Sequence, residues 1–503
     1  ETAPSLDDQT TDWDRLLREL SLQHGIQDVT AHLPMLRNLS RDLREAEWDV
    51  TAVLEMGDPI AHPLDQPRLL DLLPGDQSDR CYGVAIDIGT TTNVVYLVDL
   101  LTGAVVDRAS AYNAQISAGE DVISRIIFSQ KRDGLQRLQK MVLKTLNGLL
   151  DELTSRNQIP ARQVSKAVVA GNTTMLQLFL ALDPTAIRQM PFIPTISQPL
   201  AVSAEELGLS INPQAAVHCL PMVGAYVGAD ITAGVLASGI HDTDALTLFI
   251  DVGTNGELVL GNRDWLITCA CSAGPAFEGS GVRHGMRATA GAIEEIWIDH
   301  RTFEPTYETI GQLPARGICG SGMIGLLAEM FITGIVDKAG KIQRDLPTAR
   351  VRVGDHGGEY VVAWAGQSGI GTDVVINEVD IQNLLRTKGA IFAGFSVFVQ
   401  SVGMQLGDVE QVLIAGAFGQ YINVEKAIQI GLLPDMPWDR FHYLGNTSAL
   451  GAYYSLVSRP KRREVIDIAS MMTYLELSAD NSFYDQFMSA LFLPHTDISA
   501  FPS

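Results

Sequence analysis

Cysteine is scarce in this sequence, and its spacing argues against two kinds of site. The 503 residues include five cysteines, an odd number, and no two of them form a C-x-x-C pair. Cys269 and Cys271 are separated by one residue, which is poor spacing for a zinc or iron–sulfur site, so we expect them at the end of a strand. Scattered cysteines of odd number are typical of a reduced, cytoplasmic protein rather than of a disulfide framework.

Basic residues are also in the minority. Lys and Arg total 36 against 59 for Asp and Glu, which gives a formal net charge of −23 at pH 7. No basic cluster offsets this charge, so neither nucleic acid nor an anionic membrane is an expected partner. We recognise no signal peptide, and because the first residue is Glu rather than Met, we expect a fragment or a processed product.

Long hydrophobic runs are missing as well. One long stretch without a charged residue, 389–407, contains Gln400, Ser401 and Gln405. Polar residues at these positions would be costly inside a bilayer, so the stretch predicts a buried amphipathic helix and not a membrane span.

Several familiar catalytic motifs do not occur. The sequence has no GxxxxGK followed by Ser or Thr, no GxGxxG after a predicted strand, no serine nucleophile elbow and no HExxH. These absences exclude a P-loop nucleotide site, a Rossmann dinucleotide site, a hydrolase built on that elbow and a zincin.

The chain is organised instead around residues 84–92, VAIDIGTTT. A buried strand ends near Asp87, a tight turn follows, and a second apolar run begins after it. Glycine in such a turn lets the backbone approach a ligand, while N–H groups and hydroxyls can hold phosphate oxygens. The carboxylate could hold a metal on that phosphate. Taken alone, a β-hairpin without a ligand explains the motif equally well. The phosphate candidates in this turn are Gly89, Thr90, Thr91 and Thr92.

A second copy of this pattern, LFIDVGTNGELVL at 248–260, favours the ligand interpretation. It places Asp251 after a strand and Gly253, Thr254 and Asn255 in the turn. Two such openings predict a duplicated α/β lobe. If the two hairpins face one nucleotide, Asp87 and Asp251 approach the same Mg²⁺, because carboxylates so close together require a cation between them.

Other small-residue turns extend the candidate site. Asn172 and Thr173 follow a strand and begin a helix, where an anion can bind. Asp230 stands at a predicted helix start, either as a structural cap or as a group that positions a metal or an attacking water.

Two glycine clusters are also candidates. Gly320, Ser321 and Gly322 precede a predicted helix whose N-terminus favours an anion. Gly416 and Gly419 would let the backbone lie flat against adenine or ribose. For each cluster the alternative is tight packing of a strand and a helix with no ligand.

Eleven ordered motifs then give the chain a family resemblance. It resembles the ATP-dependent reductive activators of corrinoid proteins, which belong to the superfamily of acetate and sugar kinases, heat-shock chaperones and actin. The resemblance covers residues 80–475, and the unit before them resembles that family's middle domain. The motifs are IDIGTTT, NAQISAGEDVISRI, AGNTTM, VGAD, IDVGTNGE, AGPAFEG, GMRA with GAIE, RGICGSG, IAGAFG, IGLLP and GNTSALGA.

The resemblance implies an α/β fold with duplicated ribonuclease H-like lobes of the actin and chaperone-ATPase type. These lobes would enclose an interlobe nucleotide cleft and follow a small N-terminal α/β domain. We expect a linker remnant at 1–11, the small middle domain at 12–75, the first lobe at 80–240 with about 446–475, the second lobe at 245–445 and a C-terminal extension at 476–503. Within the small domain, the proline-rich run 58–67 and the stretch 73–76 read as a linker.

The function implied by the resemblance is the reduction of an inactive cobalt(II) corrinoid to cobalt(I) in a methyltransferase system. ATP hydrolysis, with Mg²⁺, would drive this uphill electron transfer. The expected partners are an electron donor and a corrinoid protein that brings its own cofactor, since no DxHxxG motif occurs here. A homodimer is also expected, from the family likeness and the uncharged helix at 389–407.

The sequence departs from the family in one respect. Members usually begin with a 2Fe–2S domain carrying four clustered cysteines, whereas this sequence has no C-x₄-C-x₂-C spacing. Either that domain was removed or electrons arrive from a separate protein. Two other functions are considered: a small-molecule kinase of the same superfamily, with Asp230 as its base, and a chaperone-like nucleotide-binding module.

Overall fold

The structure is a computed structural model that describes residues 2–57, 66–253, 255–416, 422–477 and 481–502. The chain forms two compact units. The first contains residues 1–237 and 448–470, and the second contains residues 238–447 and 471–503.

A small α/β domain opens the first unit. Its central strand, β3, pairs in parallel with β1 and antiparallel with β2. Leucines on one face of each helix pack with Trp48, Leu69 and Leu72 to form a separate small core. In chain order the elements are α1 (Asp12–His24), β1 (Thr30–Ala31), α2 (Leu33–Glu45), β2 (Val50–Glu55) and β3 (Arg68–Pro74).

The prediction of a linker over 73–76 is wrong in part, because β3 continues to Pro74. The run from Arg68 to Leu73 is buried, and leucines of this run face the helices. Pro74 is tolerated because it is the last residue of the strand, where no ladder hydrogen bond is lost. Residues 58–65, in the other part of that prediction, lie outside the described residues.

The first residues of the chain, predicted to be a linker, are tied to α1. Arg15 is completely buried and donates to Asp8 Oδ2 at 2.7 Å and to the Asp8 carbonyl at 3.0 Å. It also donates to the Thr2 carbonyl at 3.2 Å. A buried guanidinium needs such partners, so this segment is part of the small domain's structure.

A six-stranded sheet forms the centre of the first unit, in the order β6-β5-β4-β7-β9-β8. Strands β4, β5 and β6 form an antiparallel meander, whereas β4, β7 and β9 are parallel. The elements are β4 (Tyr82–Ile88), β5 (Thr92–Asp99), β6 (Val105–Tyr112), α3 (Val122–Ser129), α4 (Gly134–Arg156), β7 (Val164–Gly171), α5 (Thr173–Phe179), β8 (Leu200–Ser203), α6 (Ala204–Leu207), β9 (Ala216–Cys219) and α7 (Ala229–Ser238).

The second unit contains a six-stranded sheet and two three-stranded sheets. Its first elements are β10 (Thr247–Asp251), β11 (Glu257–Gly261), β12 (Leu266–Ala270), β13 (Ala292–Ile298), β14 (Pro305–Thr309), β15 (Gly317–Ile318), α8 (Gly320–Ile332), β16 (Val351–Gly354), β17 (Gly357–Ala363), β18 (Val374–Asn377), α9 (Glu378–Ser401), β19 (Gln411–Ala415), α10 (Val424–Gln429) and β20 (Phe441–Gly445). The chain then returns to the first unit through α11 (Thr447–Val457) and α12 (Arg459–Met471) and ends with β21 (Met472–Tyr474) and α13 (Asn481–Ala490).

The two large sheets have the same construction. The second runs β20-β19-β10-β11-β12-β21, with an antiparallel meander of β10, β11 and β12 and parallel neighbours β19 and β20. In each sheet the strand that carries the motif aspartate stands between its hairpin partner and a parallel strand. This repeated order confirms the predicted duplication of an α/β lobe.

Several predicted helix ends move in the structure. Helix α8 begins at Gly320 rather than Met323, and α9 ends at Ser401 rather than Gly407. Gly403 has a φ of 73°, a left-handed conformation that ends a helix. Helix α5 stops at Phe179, and Ala181, two residues later, has a φ of 53°.

The uncharged stretch forms a buried helix, as predicted. Residues 389–399 of α9 are buried within the second unit, and α13 packs against them. Across the described ranges, no helix combines the length and apolar character that crossing a bilayer requires. Strand β21 pairs in parallel with β12, so residues 472–474, which we assigned to the first lobe, extend the second unit's sheet instead.

Candidate functional site

The first hairpin turn is tight, as the sequence indicated. The Gly89 N–H donates to the Thr92 carbonyl at 3.0 Å and closes the turn. A Cβ atom at Gly89 would lie 2.3 Å from that carbonyl oxygen, so glycine is required by the turn itself. The Asn113 amide, which is fully buried, donates to the Gly89 carbonyl at 3.0 Å.

Asp87 stands one residue before the end of β4 and is 9% exposed. Its Oδ1 accepts a hydrogen bond of 2.7 Å from Ser448 Oγ, in the first turn of α11. A hydrogen bond to a charged acceptor is stronger than a neutral one and fixes the orientation of the carboxylate. The C-terminal part of the first unit therefore positions the aspartate of its first hairpin.

Two further side chains hold the turn. Arg125 of α3 is fully buried and donates to the Thr90 carbonyl at 2.6 Å. Asn172 donates through Nδ2 to Thr90 Oγ1 at 2.8 Å and accepts at Oδ1 from the Met175 N–H as the cap of α5. Thr90 is thus buried and bonded on both sides, and the neighbouring Thr91 and Thr92 are only half-buried. The turn is preorganised before any ligand binds.

The structure places Asn172 and Thr173 behind the turn. Thr173 is fully buried and its hydroxyl donates to the Gly224 carbonyl at 2.6 Å. The backbone of α7 approaches here, since a Cβ at Gly228 would lie 2.4 Å from the Thr173 nitrogen. These two side chains are committed to bonds within the protein. Asp230, half-buried in the first turn of α7, accepts from the Ile231 N–H at 2.9 Å.

The second hairpin is described separately, because it belongs to the other unit. Asp251 is the last residue of β10 and lies in register with Ala415 of β19 and Glu257 of β11. Gly416, with a φ of 111°, approaches so closely that a Cβ would lie 3.2 Å from Asp251 Oδ1. Residue 416, which lies beside this carboxylate, therefore has to be glycine.

Glu278 faces the same turn. A Cβ built on Gly253 would lie 3.6 Å from Glu278 Oε1 and 3.8 Å from Asp251 Oδ1. Asn255 is half-buried, and its carbonyl accepts from the Ala273 N–H at 2.9 Å. Thr254 and Gly419, which we predicted to contact the nucleotide, lie outside the described residues.

The cluster Gly320, Ser321 and Gly322 lies inside the first turn of α8 and is buried. A Cβ at Gly322 would lie 2.2 Å from the Ile293 carbonyl oxygen, so this glycine is required by packing against β13. Ser321 Oγ lies 3.3 Å from Cys319 Sγ. The packing alternative therefore explains Gly322 fully.

The chemistry of each hairpin turn, taken by itself, suits a hard cation that also binds phosphate. Each offers a carboxylate beside hydroxyl or backbone oxygen atoms, the ligand type that Mg²⁺ prefers. Within the described ranges, no group of three or more His, Cys, Asp and Glu side chains could hold a metal by itself.

The cysteines form no such centre. All five are free thiols. Burial raises the pKa of Cys219 to about 12 and, with a hydrogen bond from the Cys269 thiol to Cys271, raises the pKa of Cys269 well above its ordinary value. As predicted, Cys269 and Cys271 lie at the end of a strand, β12.

Sequence reasoning missed the residues that support the turns. Ser448, Asn113 and Arg125 stand inside motifs that we quoted, but nothing in their spacing showed which groups they contact. Asn93, directly after the first turn, is fully buried, and among the described residues neither its Nδ2 nor its Oδ1 has a hydrogen-bond partner. Such an amide costs stability, and no sequence signal pointed to it.

Comparison with known proteins matches the chain to three family models. A model described as the RACo linker region matches residues 2–79, and one described as the RACo middle region matches residues 82–243. The small N-terminal domain therefore matches the linker region and not, as we expected, the middle domain. A third, described as the C-terminal domain of RACo, the ASKHA domain, matches residues 245–503.

Individual relatives agree with these models. The corrinoid activation enzyme RamQ of Eubacterium limosum is 34% identical over 430 residues, which cover 84% of this chain and 72% of that protein. A Co(II) methylated amine-specific corrinoid protein reductase of Methanosarcina barkeri is 24% identical over 444 residues, covering 82% and 76%. A solved structure, described as a reductive activator for a corrinoid, iron-sulfur protein, matches 100% of this chain and 79% of its own, with 47% identity and a TM-score of 0.91.

Proposed function

This chain belongs to the RACo family, whose C-terminal domain has the ASKHA fold, and we propose that it is an ATP-dependent reductive activator of a corrinoid protein. The observation that carries the proposal is the match of the whole chain, at 47% identity, to a solved reductive activator. The repeated hairpins, each with an aspartate at a strand end, supply the nucleotide chemistry that such an activity needs.

The reaction is the transfer of one electron from a donor to cobalt(II), which becomes cobalt(I). The corrinoid is substrate here, because the partner protein brings it. The donor is a redox protein or domain, since four of the five free thiols of this chain are buried. ATP hydrolysis can drive the uphill step only if the partner binds differently to the nucleotide states of this protein.

We assign the site residues the following roles. Asp87 and Asp251 would be ligands of the Mg²⁺ that accompanies ATP, and this ion would neutralise phosphate charge. Asp230 orients the attacking water. Asn172 and Thr173 keep the first turn in place from behind, as their bonds to Thr90 and Gly224 indicate. The residues assigned to phosphates, ribose and adenine are Gly89, Thr90, Thr91, Thr92, Gly253, Thr254, Asn255, Gly320, Ser321, Gly416 and Gly419.

Cellular context and assembly belong to the same proposal. A cytoplasmic location is supported by five free thiols. A homodimer is supported by the family likeness alone, because the helix that we had also cited, α9, is buried within its own unit.

The proposal is tested by ATP hydrolysis in the presence of the corrinoid partner. We expect cobalt(II) partner protein to stimulate phosphate release, and we expect Asp87→Asn and Asp251→Asn each to abolish this release while the protein stays folded. The matched control is Asp107→Asn, which removes a half-buried carboxylate paired with Arg156 at 2.7 Å. Hydrolysis by Asp251→Asn at the wild-type rate would remove Asp251 from the site. Phosphoryl transfer to a sugar or an acid, without any response to the partner, would identify a kinase instead.

A further inference from the structure

We propose that two buried carboxylates, Glu55 and Asp71, fasten the small N-terminal domain to the first unit's six-stranded sheet, so that nucleotide-driven movement of this sheet carries the small domain with it. The inference rests on the proposed function for its biological meaning. Its structural part can be tested independently, with nucleotide alone.

Glu55, at the end of β2, reaches across from the small domain to the large sheet. It is 6% exposed, and its Oε2 accepts from Arg68 of β3 at 2.7 Å. Its Oε1 lies 3.2 Å from Nε2 of His218 in β9 and 3.7 Å from Nζ of Lys166 in β7. One carboxylate therefore joins strands of both sheets.

The environment of Glu55 keeps it ionised. Burial alone would raise the pKa of Glu55, but the hydrogen bond from His218 and the charges of Lys166 and Arg68 hold this pKa at about 2. Because an ionised carboxylate can only accept a hydrogen bond, His218 carries a proton on Nε2 and donates a hydrogen bond to Glu55.

Asp71, in the middle of β3, makes the second link. It is 3% exposed, and both its oxygens accept from Arg162, which stands just before β7; the Nε bond is 2.6 Å long. Asn212, also buried, donates to Asp71 Oδ2 at 2.9 Å and to the Arg162 carbonyl at 3.2 Å. Another polar contact flanks this pair, where Gln163 donates to Gln77 at 2.8 Å.

These links differ from ordinary surface ion pairs. An exposed pair exchanges its partner for water at little cost, whereas separating the small domain from the sheet would take the buried carboxylates Glu55 and Asp71 away from the charged groups that compensate for their burial. The two hydrogen bonds from Arg162 also fix the orientation of the Asp71 carboxylate, and not only its distance from the guanidinium. The small domain and the sheet therefore move together more readily than they separate.

The links meet the strand that supports the phosphate turn. Lys166 is near the start of β7, and Arg162 lies two residues before the first residue of this strand. The other end of β7 is Gly171, in register with Ile88, followed by Asn172, which holds Thr90. An extended strand of this length spans about 25 Å and is paired on both sides. A displacement of the first hairpin is thus transmitted along one rigid element to the small domain.

The first test uses hydrogen exchange with MgATP as the only ligand. In the wild-type protein we expect MgATP to change exchange at amides of the first hairpin and also at amides of β2 and β3. The double variant Glu55→Gln/Asp71→Asn keeps the shapes of both side chains but removes their charge, and we expect it to lose only the effect on β2 and β3. The control, Asp12→Asn, breaks the 2.8 Å pair with Arg44 inside the small domain and should behave as wild type.

The second test measures cobalt(I) formed per ATP hydrolysed. We expect the double variant to bind and hydrolyse ATP as the wild type does while its cobalt(I) yield per ATP falls about fivefold or more, the usual size of coupling between sites. The inference would be overturned if MgATP left hydrogen exchange at β2 and β3 of the wild type unchanged. It would also be overturned if MgATP changed exchange at β2 and β3 of the double variant as much as in the wild type. Should the wild type form no cobalt(I) while exchange behaves as expected, the proposed function fails and the mechanical link stands.

Discussion

At the residue scale, the two motif aspartates are held by groups that lie far away in sequence. Asp87 is oriented by Ser448, and the carboxylate of Asp251 lies against the backbone of Gly416. In both cases a residue from a later strand or helix completes a turn formed earlier. This explains why the hairpins could be predicted from the sequence, whereas their supporting residues could not.

The contact between Ser448 and Asp87 leads to a direct prediction. Ser448→Ala removes a hydrogen bond to a charged group, worth about 1.5–3 kcal/mol, so we expect ATP hydrolysis to fall by about tenfold or more. Ser448→Thr keeps the hydroxyl and should restore most of the rate. The matched control is Ser470→Ala on α12, where the hydroxyl only donates to the Ile466 carbonyl. Equal rates for Ser448→Ala and wild type would show that the serine does not orient Asp87.

At the element scale, strands that end at a distinctive turn motif were predicted well, and strands without such a motif were missed. The strand before each hairpin, β7 and β19 were all found, because short apolar runs end at a glycine or a polar turn there. Strands β13 and β14 and the sheet of β16, β17 and β18 were not predicted, because their alternation is weak and tertiary packing decides their conformation. The predicted start of helix α8 was too late in the chain, because Gly320 and Gly322 are poor helix formers.

A buried lysine makes the long helix α9 an anchor for the end of the chain. Lys388 is fully buried, and its Nζ donates to the carbonyls of Phe492 and Pro494 at 2.6 Å each. Burial lowers the pKa of Lys388 to about 7. The neutral amine still has two N–H groups, one for each carbonyl, so the C-terminal segment stays attached when the charge is lost.

This pKa predicts how the stability of the second unit depends on pH. Between pH 7 and the ordinary lysine pKa of 10.5, the unfolded chain binds a proton at residue 388 that the folded chain does not. The free energy of unfolding should therefore rise with pH over this window, by at most about 4 kcal/mol. Lys388→Met should flatten the rise, and Lys338→Met, at an exposed position of the same unit, should leave it unchanged. Calorimetric unfolding from pH 7 to pH 10 measures the difference, and parallel curves for wild type and Lys388→Met would contradict the assignment.

At the scale of the whole molecule, the chain repeats one sheet construction and adds a small domain to the first copy. The repeat was visible in the sequence because each copy opens with the same strand, turn and strand. The fastening of the small domain was not, because Glu55 and Asp71 are isolated acidic residues whose partners come from β7, β9 and the segments beside them. A sequence shows the charge of such residues but not the burial that gives them their importance.

The central claim is that ATP hydrolysis by this chain drives the reduction of a corrinoid protein. The most direct measurement follows the absorbance of cobalt(I) when cobalt(II) partner protein is mixed with the activator and an electron donor too weak to reduce it unaided. We predict that cobalt(I) accumulates when MgATP is added and does not accumulate with a non-hydrolysable analogue or with the Asp251→Asn variant. The same yield of cobalt(I) without ATP, or no cobalt(I) while wild-type protein hydrolyses ATP, would contradict the account.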